Sequence, residues 1–492
     1  MRKSSLRVWM PVAFVALLAA VAAIAALGQS SSAAVSVARA QYGPTVTLGT
    51  TTGPPRTSVN VAGSGFAASE PIDLSVDSVN VAVANADSTG AFSGTVKIPS
   101  YATPGRHDIG AQGRTSGLFG SASFLVRSDW PTFRYNAQHS ATNQGENVLN
   151  PANVVDLKAA WTGATAGSIG SGPAIVGGMV FVAADSKLYA FSASDHVLKW
   201  SMPINGSGPQ SSPAVANGAV YVGSADGKLY SFNAATGVLL WSTATPVGAI
   251  ASSPIVLGNS VYVGSNDGRL YAFNASTGAL RWNVLTLGAI SSSPAVVGSV
   301  LYVGSGDTKL YAINLLNHSV LWIGSTGGAI TSSPAIAKKV VYVGSNDGKL
   351  YAFDATTPHA LLWSVTTGSA VQSSPAVAND VVYVGSNDGK LYAISAVTHA
   401  VLWTGTTGGA IHSSPAVANG VVYVGSTDGK VYAFPTRCGT AGATCAPRWS
   451  YTTGGAVDSS PSVVNGTVYA GSADKNLYAF AVPSTSTTPV GG

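Results

Sequence analysis

Of 492 residues, 9% are charged, 46% are hydrophobic and 57 are glycine. This excludes a disordered chain, which combines low hydrophobicity with high charge, and it suits a fold with many tight turns. Arg2, Lys3, Arg7 and Arg39 are four of the 25 basic residues, and no acid precedes position 41. The remainder is nearly balanced, 21 basic against 20 acidic, so no basic stripe exists for nucleic acid and no such partner is expected.

The basic start is followed by a charge-free apolar run from Val8 to Leu27, and Ala38-Arg39-Ala40 offers a small-x-small cleavage site. The run is long for a signal peptide and just long enough to span a bilayer. Residues 1–40 therefore read as a cleaved signal or an uncleaved anchor. Positive-inside orientation exports the rest in both cases, to a secreted, periplasmic or cell-surface location. Membrane contact is expected only through this segment.

Residues 44–127 carry short apolar runs at Val59–Val61, Ile72–Val76, Val79–Val83, Thr95–Ile98 and Ser123–Val126, separated by turn signals such as Ser88-Thr89-Gly90. That spacing predicts a small β-sandwich, and the segment resembles bacterial Ig-like surface modules. A spacer role and independent ligand binding both stay open. Residues 128–156 read as a connector draped on the repeats that begin at residue 157.

From residue 157 to 482 one pattern repeats: I-x-S-S-P-A-V, V-Y-V-G-S-x-D-G, K-L-Y-A-F, a turn, and L-L-W. Its Pro recurs at Pro173, Pro213, Pro254, Pro294, Pro334, Pro375, Pro415 and Pro461. Its closing Trp recurs at Trp161, Trp200, Trp241, Trp282, Trp322, Trp363, Trp403 and Trp449. Each unit predicts four short strands, with Asn346-Asp347-Gly348 as a hairpin turn. Alternation places Tyr351 and Phe353 on one face and Leu350 and Ala352 on the other. Neither face is polar, so both must be covered by near-copies stacked radially. A four-stranded period near 40 predicts a propeller. The last unit lacks its Trp strand, and Leu157–Trp161 is a Trp strand lacking the other three. Together they complete one blade and give eight. The expected fold is all-β, an eight-bladed propeller behind a small Ig-like sandwich, with a flexible tail over 483–492.

These repeats resemble the PQQ-like (quinoprotein and BamB-like) propeller family, on Asp129-Trp130-Pro131-Thr132-Phe133-Arg134, on Asn274-Ala275-Ser276-Thr277-Gly278-Ala279-Leu280-Arg281-Trp282, and on the spaced tryptophans. The resemblance covers about 129–481 and implies that each Trp packs between neighbouring blades.

Cys438 and Cys445 are the two cysteines. In an exported chain they are expected to close a disulfide over a short loop. His196, His318, His359 and His399 stand four residues before a Trp, where Gly237 and Gly278 stand in other units. They read as turn residues with positive φ, not metal ligands. The hairpin acids Asp226, Asp267, Asp307, Asp347, Asp388, Asp428 and Asp474 read as turn formers, since one carboxylate per unit does not make a calcium site. No metal site is expected.

The informative variable position lies three residues before the recurring Pro. It reads Gly170, Gln210, Ala251, Ser291, Thr331, Gln372, His412 and Asp458. It is expected to face the axial funnel, with Gln210, Gln372, His412 and Asp458 as the candidate ligand residues. No catalytic constellation can be assigned and no cofactor is expected. Under the quinoprotein resemblance, PQQ with calcium is the alternative. The leading expectation is a non-catalytic, monomeric exported propeller that binds or scaffolds a protein or a cell-surface polymer. A PQQ-dependent dehydrogenase and a purely structural surface module are the alternatives.

Overall fold

The computed structural model describes residues 43–206, 211–243, 248–356, 359–439 and 442–483. The segment 1–40, Gln210 and the tail from 484 onward lie outside them. The described chain is all-β apart from one 3₁₀ turn at Val154–Asp156.

The unit around Tyr351 shows how each repeat folds. Lys349–Asp354 pairs antiparallel with Val340–Ser345 on one side and with Leu361–Thr366 on the other, and Ala335–Ala337 completes the sheet at its inner edge. Eight sheets built on this four-strand pattern occur among the described residues, the first running from Ala174–Val176 to Leu198–Pro203. Their inner strands touch in succession, from Ala174–Val176 against Ala214–Ala216 round to Ser462–Val464 against Ala174–Val176, and the Ser253 N to Ser293 Oγ bond joins the segments before Ile255–Leu257 and Ala295–Val297. One sheet is discontinuous in sequence. Lys158–Ala164 pairs antiparallel with Asn476–Ala481, placing Thr162 opposite Tyr478, and Thr467–Gly471 and Ser462–Val464 complete it. The two ends of the repeat array thus share one sheet.

The two apolar faces of each sheet mesh with their neighbours. Tyr351 and Phe353 stack at 6.0 Å and pack on Leu310, Ala312 and Tyr302 of the preceding sheet. On the opposite face, Leu350 and Ala352 meet Val382, Val384 and Tyr392 of the next one. Each large side chain buried this way contributes about 1.5–3 kcal/mol. The Gly of V-Y-V-G permits a close approach, because a methyl on Gly344 would run into Val371, the first residue of the following I-x-S-S segment.

The tryptophans lie between sheets. Trp403 is 2% exposed and donates from Nε1 to Thr436 O of the next sheet at 3.2 Å. Trp449 reaches Leu157 O at 2.8 Å across the closure. Trp161, Trp282, Trp322 and Trp363 are partly exposed. Where the next repeat carries His at the turn, that ring lies against the Trp: His318 stacks on Trp282 at 4.6 Å with φ +63°. Cys438 and Cys445 form a disulfide. The insertion they close adds Ala443–Cys445 as a parallel fifth strand beside Val401–Thr406 of the preceding sheet.

Residues 45–126 form two further sheets. One holds Thr45–Leu48, Ser58–Ser64 and Phe92–Lys97. The other holds Thr52–Gly53, Phe119–Val126, Gly105–Gly113, Pro71–Val76 and Val79–Asn85. Val59, Val61, Ile72, Leu74, Val96, Ile109 and Phe124 fill the core between them. Gly105–Gly113 is a strand that apolar patterning does not reveal. It opens Gly-Arg-His-Asp and only later turns apolar.

The connector does more than drape. Residues 130–143 visit the inner edge of every one of the eight sheets. Trp130 and Ile175 exchange backbone bonds at 2.7 and 2.8 Å, and Val215 N donates to Pro131 O at 2.7 Å. Thr132 Oγ1 reaches Pro254 O. Val296, Ile336, Val377 and Val417 donate to the carbonyls of Ala137, Gln138, Ser140 and Ala141. Asn143 Nδ2 donates to Val463 O at 2.8 Å. These contacts stopper one end of the axis. Asn147, just beyond, donates to Ser100 O and Ala102 O of the two-sheet unit at 3.1 and 2.8 Å. That unit is therefore tied in beside the stoppered end.

Candidate functional site

Above the stopper, along the extended inner segments, come the recurring Pro, two serines (Gly172 and Ser171 in the first) and then the variable position. The serines make two tiers of bonds between sheets. In the lower tier a backbone N–H donates to the next sheet's hydroxyl: Ser253 to Ser293 at 2.9 Å, Ser293 to Ser333 at 2.8 Å, Ser333 to Ser374 at 2.9 Å and Ser374 to Ser414 at 3.0 Å. In the upper tier Ser373 Oγ accepts from Gly385 N and donates to Ser413 O, both within 3.1 Å. All these serines are buried, and each bond satisfies a polar group that burial would otherwise leave costly. The S-S pair is plain in the repeated pattern, but a sequence carries no sign of its bonds between sheets.

The variable positions stand at the rim above the serines. His412 Nδ1 lies 3.0 Å from Asp458 Oδ1, with the two side chains 38% and 47% exposed. The hydrogen bond to Asp458 holds the His412 imidazole above its ordinary pKa, against the opposing pull of partial burial. Gln372 does not join that pair. Its Oε1 accepts from Asn387 Nδ2, in its own sheet's hairpin, at 3.4 Å. Thr331 likewise turns to Asn346. The expected cluster of Gln372, His412 and Asp458 is thus a His–Asp pair with a separate neighbour, because the hairpin amides compete for these side chains. Gln210 lies outside the described residues.

The hairpin acids have a fuller role than turn formation. Asp347 Oδ1 accepts from Lys349 N at 3.0 Å, closing the turn, and its Oδ2 accepts the Tyr351 hydroxyl at 2.6 Å and Gly327 N of the preceding loop at 2.9 Å. The Asp–Tyr pair repeats at Asp226–Tyr230, Asp267–Tyr271, Asp307–Tyr311, Asp388–Tyr392, Asp428–Tyr432 and Asp474–Tyr478. Burial, reinforced by the aspartate, pushes Tyr311, Tyr392 and Tyr432 up to about 12. These acids are spent on the fold. Among the described residues no three of His, Cys, Asp and Glu converge. At the rim, the His–carboxylate contact among the described residues is His412–Asp458.

Four-stranded sheets arranged radially about a stoppered axis, with a Trp between neighbours, define a β-propeller of the PQQ-like class. The sequence profile described as outer membrane protein assembly factor BamB matches residues 149–359 and 358–482, and the chain belongs to that family. No curated protein sequence matches the chain. Among solved structures, it is similar to the quinohemoprotein alcohol dehydrogenase of Comamonas testosteroni, at 16% identity and TM-score 0.63 over 74% of this chain and 82% of that one. It is similar to BamB of Moraxella catarrhalis at 19% identity and TM-score 0.55, over 66% and 99%. It is also similar to the computationally designed Ika8 protein at 19% and 0.58, over 65% and 98%. At these identities the likeness is one of fold.

Proposed function

We propose that this is an exported, non-catalytic propeller that binds a protein or a cell-surface polymer at the open rim around His412 and Asp458. The observation that carries the reading is the asymmetry of the axis. Residues 130–143 close one end with backbone bonds, and Asn147 ties the N-terminal two-sheet unit in beside that end. The opposite rim is left to variable side chains, with the hydrogen-bonded His412–Asp458 pair exposed enough to meet a partner. The two-sheet unit then acts as a spacer, and an N-terminal tether would hold the rim facing outward. A family whose described member is an outer membrane assembly factor supports a protein partner.

The test is a pull-down with the purified protein and with Gln372→Ala, His412→Ala and Asp458→Ala. Loss of a captured partner in the His412 and Asp458 variants supports the rim, whereas binding unchanged in all three removes it. The dehydrogenase reading rests on similarity of fold to quinoproteins. A PQQ titration with Ca²⁺, followed by absorption, decides it. Saturable, stoichiometric spectral change would replace the binding reading with an enzymatic one.

A further inference from the structure

The stopper buries a cation with no counter-ion. Arg134 is 3% exposed. Its Nε donates to His139 O at 3.3 Å and its Nη1 to Ser374 O. Both acceptors are neutral carbonyls. Nη2 is fully buried and has no partner. Arg134 takes part in no ion pair among the described residues. His139, itself buried, donates from Nδ1 to Pro334 O and is driven down to about 3 by burial and the nearby guanidinium, so it stays neutral. A lone buried charge is costly unless it is paired.

A second, independent feature lies at the same place. The lower serine tier runs through seven sheets and breaks at one residue, Gly172, where the other repeats carry serine. Gly172 N still donates to Ser212 Oγ at 2.8 Å. Ser414 N still donates to Ser460 Oγ at 3.0 Å. Ser460 N, which would donate to a hydroxyl at 172, has no acceptor among the described residues. The missing hydroxyl leaves a cavity of ≈ 10 Å³ lined by Arg134, Gly172, Ser460, Ser462, Trp130 and Phe133. A space of that size takes one water-sized occupant and excludes sulfate or phosphate.

We propose that this axial cavity is a binding site for a single halide ion, held by Arg134 Nη2 beside the gap at Gly172. The ion neutralises the buried guanidinium where no carboxylate does. It locks the stopper to the ring, joining residue 134 to the inner segments that carry Gly172 and Ser460, in the first sheet and the closing sheet. A bound halide stabilises only the folded form, so stability rises with its concentration.

Crystals grown in bromide are the direct test, with the anomalous map examined beside Arg134. In parallel, the melting temperature is measured in sodium chloride and in sodium gluconate at equal ionic strength. The expected result is a bromide peak within hydrogen-bond range of the guanidinium, and a higher melting temperature in the halide. Gly172→Ser supplies the missing hydroxyl. Its Cβ would sit 3.2 Å from Ser460 O, tight but short of a collision. It is expected to fold, to lose the peak and to melt alike in both salts. A map without a peak at Arg134 overturns the proposal, whatever the salts do, and leaves water as the occupant.

Discussion

His318 stacks on Trp282 with ring centroids 4.6 Å apart, and the two rings belong to successive sheets. The same relation joins His196 to Trp161 at 5.3 Å and His399 to Trp363 at 5.0 Å. Where the turn residue is glycine, the Trp moves into the space: a methyl on Gly278 would meet Trp241. Indole and turn together form the seam between sheets.

That seam sets the cost of removing a tryptophan. Trp403→Ala, at the most buried indole of the repeats, is expected to destabilise by about 3–5 kcal/mol. His318→Gly is expected to cost less than about 1 kcal/mol, because relief of positive φ offsets the lost stacking. Urea unfolding of both variants checks the ranking.

The serine tiers make a separate prediction. Ser333→Ala removes the acceptor of Ser293 N and leaves a buried donor unpaired. It should cost about 1–3 kcal/mol, far more than removing an exposed serine such as Ser319. Equal effects at the two positions would mean that the tier contributes nothing.

The raised tyrosines predict alkaline sensitivity with a defined sign. Tyr311, Tyr392, Tyr432 and Tyr478 are pushed from 10 up to about 12. The folded state therefore holds its protons longer than the unfolded chain. Their stabilising effect is complete below pH 10 and is lost as pH rises from 10 through about 12. Circular dichroism and phenolate absorbance, recorded together, should change in the same window. Ionisation of these four tyrosines near pH 10 with the fold intact would contradict the burial of their hydroxyls.

His412 should titrate above the free-histidine value because Asp458 favours its charged form. Its contribution is present below about pH 6.5 and disappears as pH rises through its higher folded value. The effect on stability is small, since both side chains are more than a third exposed. NMR titration of the imidazole checks the direction, and Asp458→Asn should bring the value down.

The propeller is legible in the sequence because its signals repeat. Apolar alternation in K-L-Y-A-F, the Asp-Gly hairpins and the split Trp strand belong to one pattern met many times, so local noise cancels. The stopper is not legible. Residues 130–143 occur once, bond chiefly through backbone, and take positive φ at Arg134, Tyr135, His139 and Ala141, none of them glycine. Arg134 carries part of the family resemblance but gives no sign of burial. At the rim, variability identifies the position, yet pairing depends on which side chain reaches its own hairpin. That is why Gln372 meets Asn387 and His412 meets Asp458.

Closure of the ring by its two ends is the claim on which the stopper, the rim and the seams all depend. Hydrogen exchange read by mass spectrometry on peptides covering Lys158–Ala164 and Asn476–Ala481 tests it most directly. Both strands should be protected alike and should open together, as partners in one antiparallel sheet. Rapid exchange at 158–164 beside slow exchange at 476–481 would contradict it.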